Sequence, residues 1–136
     1  MDNNRVSTYG FGCDLNAGIE EAIRRTTDAL KQEGFGVLTT IDVQATLKTK
    51  IGVDYKPYVI LGACNPNLAY RALQAEEELG LLLPCNVIVY ENGNGRSRVS
   101  ILDPLQLMGF VQNAELDAVA AEANSRLQRV INHLQE

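Results

Sequence analysis

Two Cys-Asn pairs, Cys64-Asn65 and Cys85-Asn86, adjoin apolar runs on either side of a segment with helical patterning. Cys64 stands in Gly62-Ala63-Cys64-Asn65-Pro66, where Asn and Pro are helix-starting residues. A thiol at that place faces the unpaired backbone N–H groups of the first turn, which favour thiolate. Such a group can act as a nucleophile, a redox thiol or a soft metal ligand. Cys is also a small hydrophobe that finishes buried strands, so packing alone accounts for it equally well. Cys64 and Cys85 with a carboxylate such as Glu91 would suit zinc or copper, although paired Cys-x-x-Cys spacing is missing.

Whether the two thiols meet depends on strand direction. If the strands ending at Cys64 and starting at Cys85 were parallel, the cysteines would lie at opposite sheet ends. The separation would then be some 15–20 Å, at about 3.3 Å per residue. Antiparallel strands would bring them to one end, and the extended apolar leader at residues 80–84 favours that arrangement. A ligand site there would comprise Cys64, Asn65, Cys85 and Asn86, with Lys48 as an anion-holding side chain.

The other polar residues offer less. Gly34-Phe35-Gly36 follows a helix and precedes a strand, the wrong order for a phosphate-binding loop. Asp42, Glu91 and Asp103 each suit routine work as cap, strand end or turn former. His133 is the only histidine, and no serine sits in a nucleophile elbow, which argues against a hydrolase triad.

The elements that position these residues follow from periodicity. Residues 6–13 read as a strand; Asn16 is a candidate cap for a helix with Ile19, Ala22, Ile23, Thr26 and Leu30 inward, ended by Gly34. Phe35, Val37, Thr39 and Ile41 alternate as a second strand, and Asp42 caps a short helix closed by Gly52. The continuous apolar run 58–63 predicts a strand buried on both faces. A helix from Pro66 to Leu79, ended by Gly80, carries Leu68, Ala69, Ala72 and Leu73 inward. Residues 87–91 and 97–102 form a hairpin over Asn92-Gly93-Asn94-Gly95. Asp103-Pro104 ends it, and residues 105–110 form an apolar connection. A last helix over about 113–134 presents Leu116, Val119, Ala123, Leu127, Val130, Ile131 and Leu134 on one stripe.

At 136 residues the chain fits one domain, 1–136, and its 46% hydrophobic content supports a core. The expected fold is α+β: about five strands in a mixed or antiparallel sheet with helices packed on one side. A net charge of -5 argues against nucleic acid, whose phosphates are met by Lys and Arg. No run approaches the roughly 20 apolar residues of a membrane span, and the start lacks a signal-peptide core. Three cysteines at scattered spacing suggest reduced thiols and a cytoplasmic location.

Four motifs occur in order: Leu47-Lys48-Thr49-Lys50-Ile51-Gly52-Val53, Gly62-Ala63-Cys64-Asn65-Pro66-Asn67-Leu68-Ala69, Gly80-Leu81-Leu82-Leu83-Pro84-Cys85-Asn86-Val87 and Asp103-Pro104. Over about residues 11–110 they closely resemble the domain of unknown function 302 family. The resemblance implies a small α+β domain and no established activity, substrate or cofactor. It also implies members without the first cysteine, so thiol chemistry would belong to a branch rather than to the whole family.

The leading expectation is therefore a binding module for a small ligand or soft metal ion near the two Cys-Asn motifs. The competing class is a thiol-dependent enzyme using Cys64, and a third is an interaction domain. A homodimer is expected through the last helix, whose stripe exceeds what the sheet needs covered.

Overall fold

The computed structural model describes residues 7–136. Five strands form one sheet of order β1-β5-β4-β3-β2, every neighbouring pair antiparallel. They are β1 (Gly10–Leu15), β2 (Gly36–Asp42), β3 (Tyr58–Cys64), β4 (Cys85–Glu91) and β5 (Ser97–Leu102). The helices are α1 (Ile19–Gln32), α2 (Val43–Ile51), α3 (Pro66–Ala75), α4 (Pro104–Val111) and α5 (Asp117–Leu134). This is a single α+β domain.

Period-2 alternation decides which sheet face is buried. Phe11, Cys13 and Leu15 of β1 point the same way as Val87 and Val89 of β4 and Val99 and Ile101 of β5. Against them pack Ala22, Ala29 and Leu30 of α1 and Leu127, Val130, Ile131 and Leu134 of α5. The opposite face carries Tyr58, Ile60, Ile88 and Tyr90, all partly exposed. There the Tyr58 and Tyr90 rings stack 5.3 Å apart, with Lys56 Nζ 4.5 Å from the centre of the Tyr90 ring.

Local grammar holds at most helix ends. Asp42 Oδ1 accepts from Ala45 N at 2.9 Å, and Gly52 ends α2 in the left-handed region. Gly34 takes the same conformation after α1. Asp103 Oδ1 accepts from Leu105 N, starting α4 where sequence suggested only a connection. It also accepts from Asn124 Nδ2 at 3.0 Å, which ties α4 to α5.

Several boundaries differ from the sequence reading. Val6 lies outside the described residues, and β1 runs two residues further than expected, to Leu15. Asn16 does not cap α1; Gly18 takes the cap position and no side chain bonds there. The third helix stops at Ala75, and Glu77–Leu82 wind as a 3-10 turn, so the leader into β4 is not extended. In β3 only Leu61, Gly62 and Ala63 are fully buried, because an antiparallel sheet covered on one side leaves Tyr58 and Ile60 on the other.

The last helix corrects a larger expectation. Its stripe is not spare surface: Leu127, Val130 and Ile131 have no exposure and Leu134 almost none. Helix α2 contributes no buried residue and covers little of the sheet, whereas α5 packs against α1, α4 and β1. The reason for a dimer built on α5 is thereby removed.

Candidate functional site

The antiparallel pairing of β3 and β4 brings Ala63 opposite Cys85. Cys64 therefore ends β3 at the sheet end where Cys85 begins β4, on strands about 4.8 Å apart. Both thiols are free and partly buried. The start of β2 reaches the same end, with Gly36 paired to Cys64.

An apolar cavity of about 400 Å³ opens at this end of the sheet. Ala63, Cys64 and Cys85 form its sheet wall, and Leu68, Ala69, Ala72 and Leu73 of α3 form a second. Leu82, Leu83 and Pro84 bring in the turn that precedes β4. Leu107 and Met108 of α4 and Val119, Ala120 and Ala123 of α5 complete it. The alanines on α3 and α5 leave the space: larger side chains there would fill it.

Burial pushes the Cys85 thiol up to about 11, and the neighbouring Cys64 adds to the effect. Cys85 is therefore a neutral thiol at physiological pH, an apolar wall rather than a nucleophile. Cys13 is buried in the core, and burial also raises its pKa, partly offset by Arg98.

Asn65 performs the task its position suggested. Its Oδ1 accepts from Leu68 N at 3.2 Å and caps α3, with Pro66 in the first turn. The residue is only 8% exposed. Asn65 and Leu68 also border a second, polar recess that includes Gly34, Arg71, Glu122 and Arg126.

The remaining sequence candidates lie elsewhere. Asn86 follows Cys85 but is exposed, bordering a recess on the tyrosine-bearing face with Tyr9, Ile88 and Tyr90. Alternation along β4 turns it away from Cys85. Lys48 is on exposed α2 and bonds to Asp54 Oδ1 at 2.8 Å. Glu91 closes the far end of β4, six residues or about 20 Å from Cys85. Cys64, Cys85 and Glu91 do not converge, and among the described residues no group of three His, Cys, Asp or Glu is placed to hold a metal ion.

Sequence reasoning missed most of the cavity. Its signal was the apolar excess of residues 81–83 and 105–108, too many large side chains for simple connections. Arg71 and Arg126 gave no signal, because their recess is assembled from helices distant in sequence.

The geometry defines a one-sided α+β domain with an apolar cavity at one end of its sheet. The chain belongs to the family described as domain of unknown function DUF302, whose model matches residues 11–134. The match extends past the expected residue 110 and takes in α5. The fold resembles that of an uncharacterized conserved protein DUF302 from Bacillus stearothermophilus, at 35% identity and a TM-score of 0.85. The alignment covers 93% of this chain and 98% of that one. No curated protein matches the chain. Among the described residues no helix is long and apolar enough to cross a membrane.

Proposed function

We propose that the protein is a binding module for a small, largely apolar molecule held beside Cys64 and Cys85. The observation that carries this reading is the cavity of about 400 Å³, whose walls are almost entirely apolar side chains and whose size is within the range of ligand pockets. A neutral Cys85 thiol suits such a wall. The free state of Cys13, Cys64 and Cys85 is compatible with a reducing, cytoplasm-like compartment. Equilibrium binding of the neutral fluorophore Nile red tests the idea. Saturable one-to-one binding is expected, reduced at least about tenfold by Ala69→Phe or Ala123→Phe, which fill the cavity from opposite walls. No saturable binding, or undiminished binding in both folded variants, overturns it.

Two thiols lining one cavity favour a second reading, a redox pair. Two thiols would form a disulfide by giving two electrons and two protons to a peroxide, whose O–O bond breaks to leave two waters from hydrogen peroxide, or an alcohol and a water from an organic hydroperoxide. Against it, burial keeps Cys85 protonated. Intact mass after peroxide treatment tests it: loss of two hydrogens, abolished in Cys85→Ala, supports the pair.

We also propose that the protein works as a homodimer, through α2 and the β2 edge rather than through α5. Helix α2 spans nine residues and buries none, although helices this short are marginal without tertiary support. Ile41, Ile51 and Val53 are exposed to 48%, 67% and 44%. Asp42, Lys48, Lys50 and Asp54 give this surface both signs of charge, as a two-fold self-contact needs. Sedimentation equilibrium at micromolar concentration should give twice 14.9 kDa for the wild type and 14.9 kDa for Ile41→Lys/Ile51→Lys. A monomeric wild type overturns the dimer.

A further inference from the structure

The apolar cavity does not end in apolar surface at α3. Asn65 and Leu68 belong both to its wall and to the wall of the polar recess bordered by Gly34, Arg71, Glu122 and Arg126. In that recess the Asn65 side chain is nine-tenths buried, yet only its oxygen is engaged, by Leu68 N. Its Nδ2 faces Gly34, 2.9 Å from where a Cβ would stand, and donates to no protein acceptor among the described residues. Among the described residues Thr26 Oγ1 is the one fully shielded side-chain polar atom without a partner, so Asn65 Nδ2 opens on the recess with both of its donors free for an acceptor there.

The surroundings favour an anionic acceptor. The recess lies at the start of α3, where the helix dipole and first-turn N–H groups attract negative charge. Arg71 and Arg126 bring two positive charges, and Glu122 offsets one. Arg126 engages all three of its nitrogens, donating twice to Glu122 Oε2 and once to Glu33 O. Among the described residues Arg71 bonds through Nη1 alone, to Glu122 Oε1 at 3.0 Å, and keeps its other donors.

Resting on the apolar-ligand reading above, we propose that the ligand is an aliphatic monocarboxylate. Its chain occupies the cavity beside Cys64 and Cys85, and its carboxylate accepts from Asn65 Nδ2 and Arg71 at the start of α3. A planar guanidinium and an amide fixed by its own capping bond offer donors that a carboxylate can use and an alcohol cannot use equally well. The absence of a side chain at Gly34 keeps the donor reachable.

Calorimetric titration at pH 8 with decanoate and with 1-decanol separates the two parts of the proposal. Decanoate is expected to bind at least about tenfold more tightly than decanol, since charge-assisted hydrogen bonds are roughly twice as strong as neutral ones. Arg71→Gln and Asn65→Ser should each reduce that preference, and Arg71→Gln, at a residue outside the apolar cavity, should leave decanol binding unchanged. Serine retains a capping oxygen, so α3 persists, and circular dichroism of both variants checks it. Equal binding of acid and alcohol overturns the carboxylate site and leaves the apolar one standing. A preference that survives in both variants also overturns it. Binding of neither compound overturns both readings.

Discussion

Removing the Asn65 side chain tests how α3, and with it one wall of the cavity, is held. In Asn65→Ala the Leu68 N–H loses the 3.2 Å bond to Oδ1 at a site from which water is nearly excluded. Loss of an N-cap costs about 1 kcal/mol, and leaving a buried donor unpaired brings the expected total to about 1–2 kcal/mol. A chain of 136 residues has an unfolding entropy of about 0.29 kcal/mol/K near 60 °C, so Tm should fall by roughly 3–7 °C. Asn65→Ser and Asn65→Asp retain an acceptor oxygen and should recover most of the loss, Asp with a small added gain from the helix dipole. Urea unfolding followed by circular dichroism measures all three at constant slope. An alanine variant as stable as the wild type, or a serine variant as unstable as the alanine one, would refute the capping argument.

Thr26 is fully buried on α1 and its Oγ1 has no hydrogen-bond partner, so Thr26→Val should raise stability by about 1 kcal/mol in the same urea assay. A loss of stability would mean that the hydroxyl is satisfied. Leu127→Ala removes a side chain with no exposure from the centre of the helical layer and should cost about 2–5 kcal/mol; a cost below 1 kcal/mol would place α5 outside the core. With its pKa near 11, Cys85 should be about one part in a thousand thiolate at pH 8, and its alkylation rate should climb about tenfold per pH unit towards pH 10. A plateau below pH 9 contradicts the assigned burial. The same thiol makes stability depend on pH. Its folded pKa lies above the ordinary thiol value of 9.0, so the stabilisation is complete below about pH 9 and lost as pH rises through 11. The wild type should lose up to about 2–3 kcal/mol over that interval relative to Cys85→Ala, read from urea midpoints at each pH.

Sequence alone determined what depends on neighbours along the chain. The Asp42 and Asn65 caps, the left-handed glycines at 34 and 52 and the Asn-Gly hairpin all rest on bonds or torsions spanning a few residues. The α5 stripe was legible for the same reason, as was the α+β class. Asn16 misled because a capping residue type two positions early looks the same in sequence as one in place; the chain turns instead at Gly18.

Only the tertiary structure decided which residues share a site. Antiparallel pairing of β3 and β4 joined Cys64 to Cys85 across 20 intervening residues. That same pairing sent Glu91 to the other end of the sheet, and strand alternation turned Asn86 to the other face. The cavity draws its walls from four helices or turns and four strands, and its emptiness comes from alanines that are individually unremarkable in sequence. Whether α5 was surplus or core depended on how much of the sheet α2 covered. Such properties are set by long-range packing, where the free energy belongs to the assembled layer and no local window contains it.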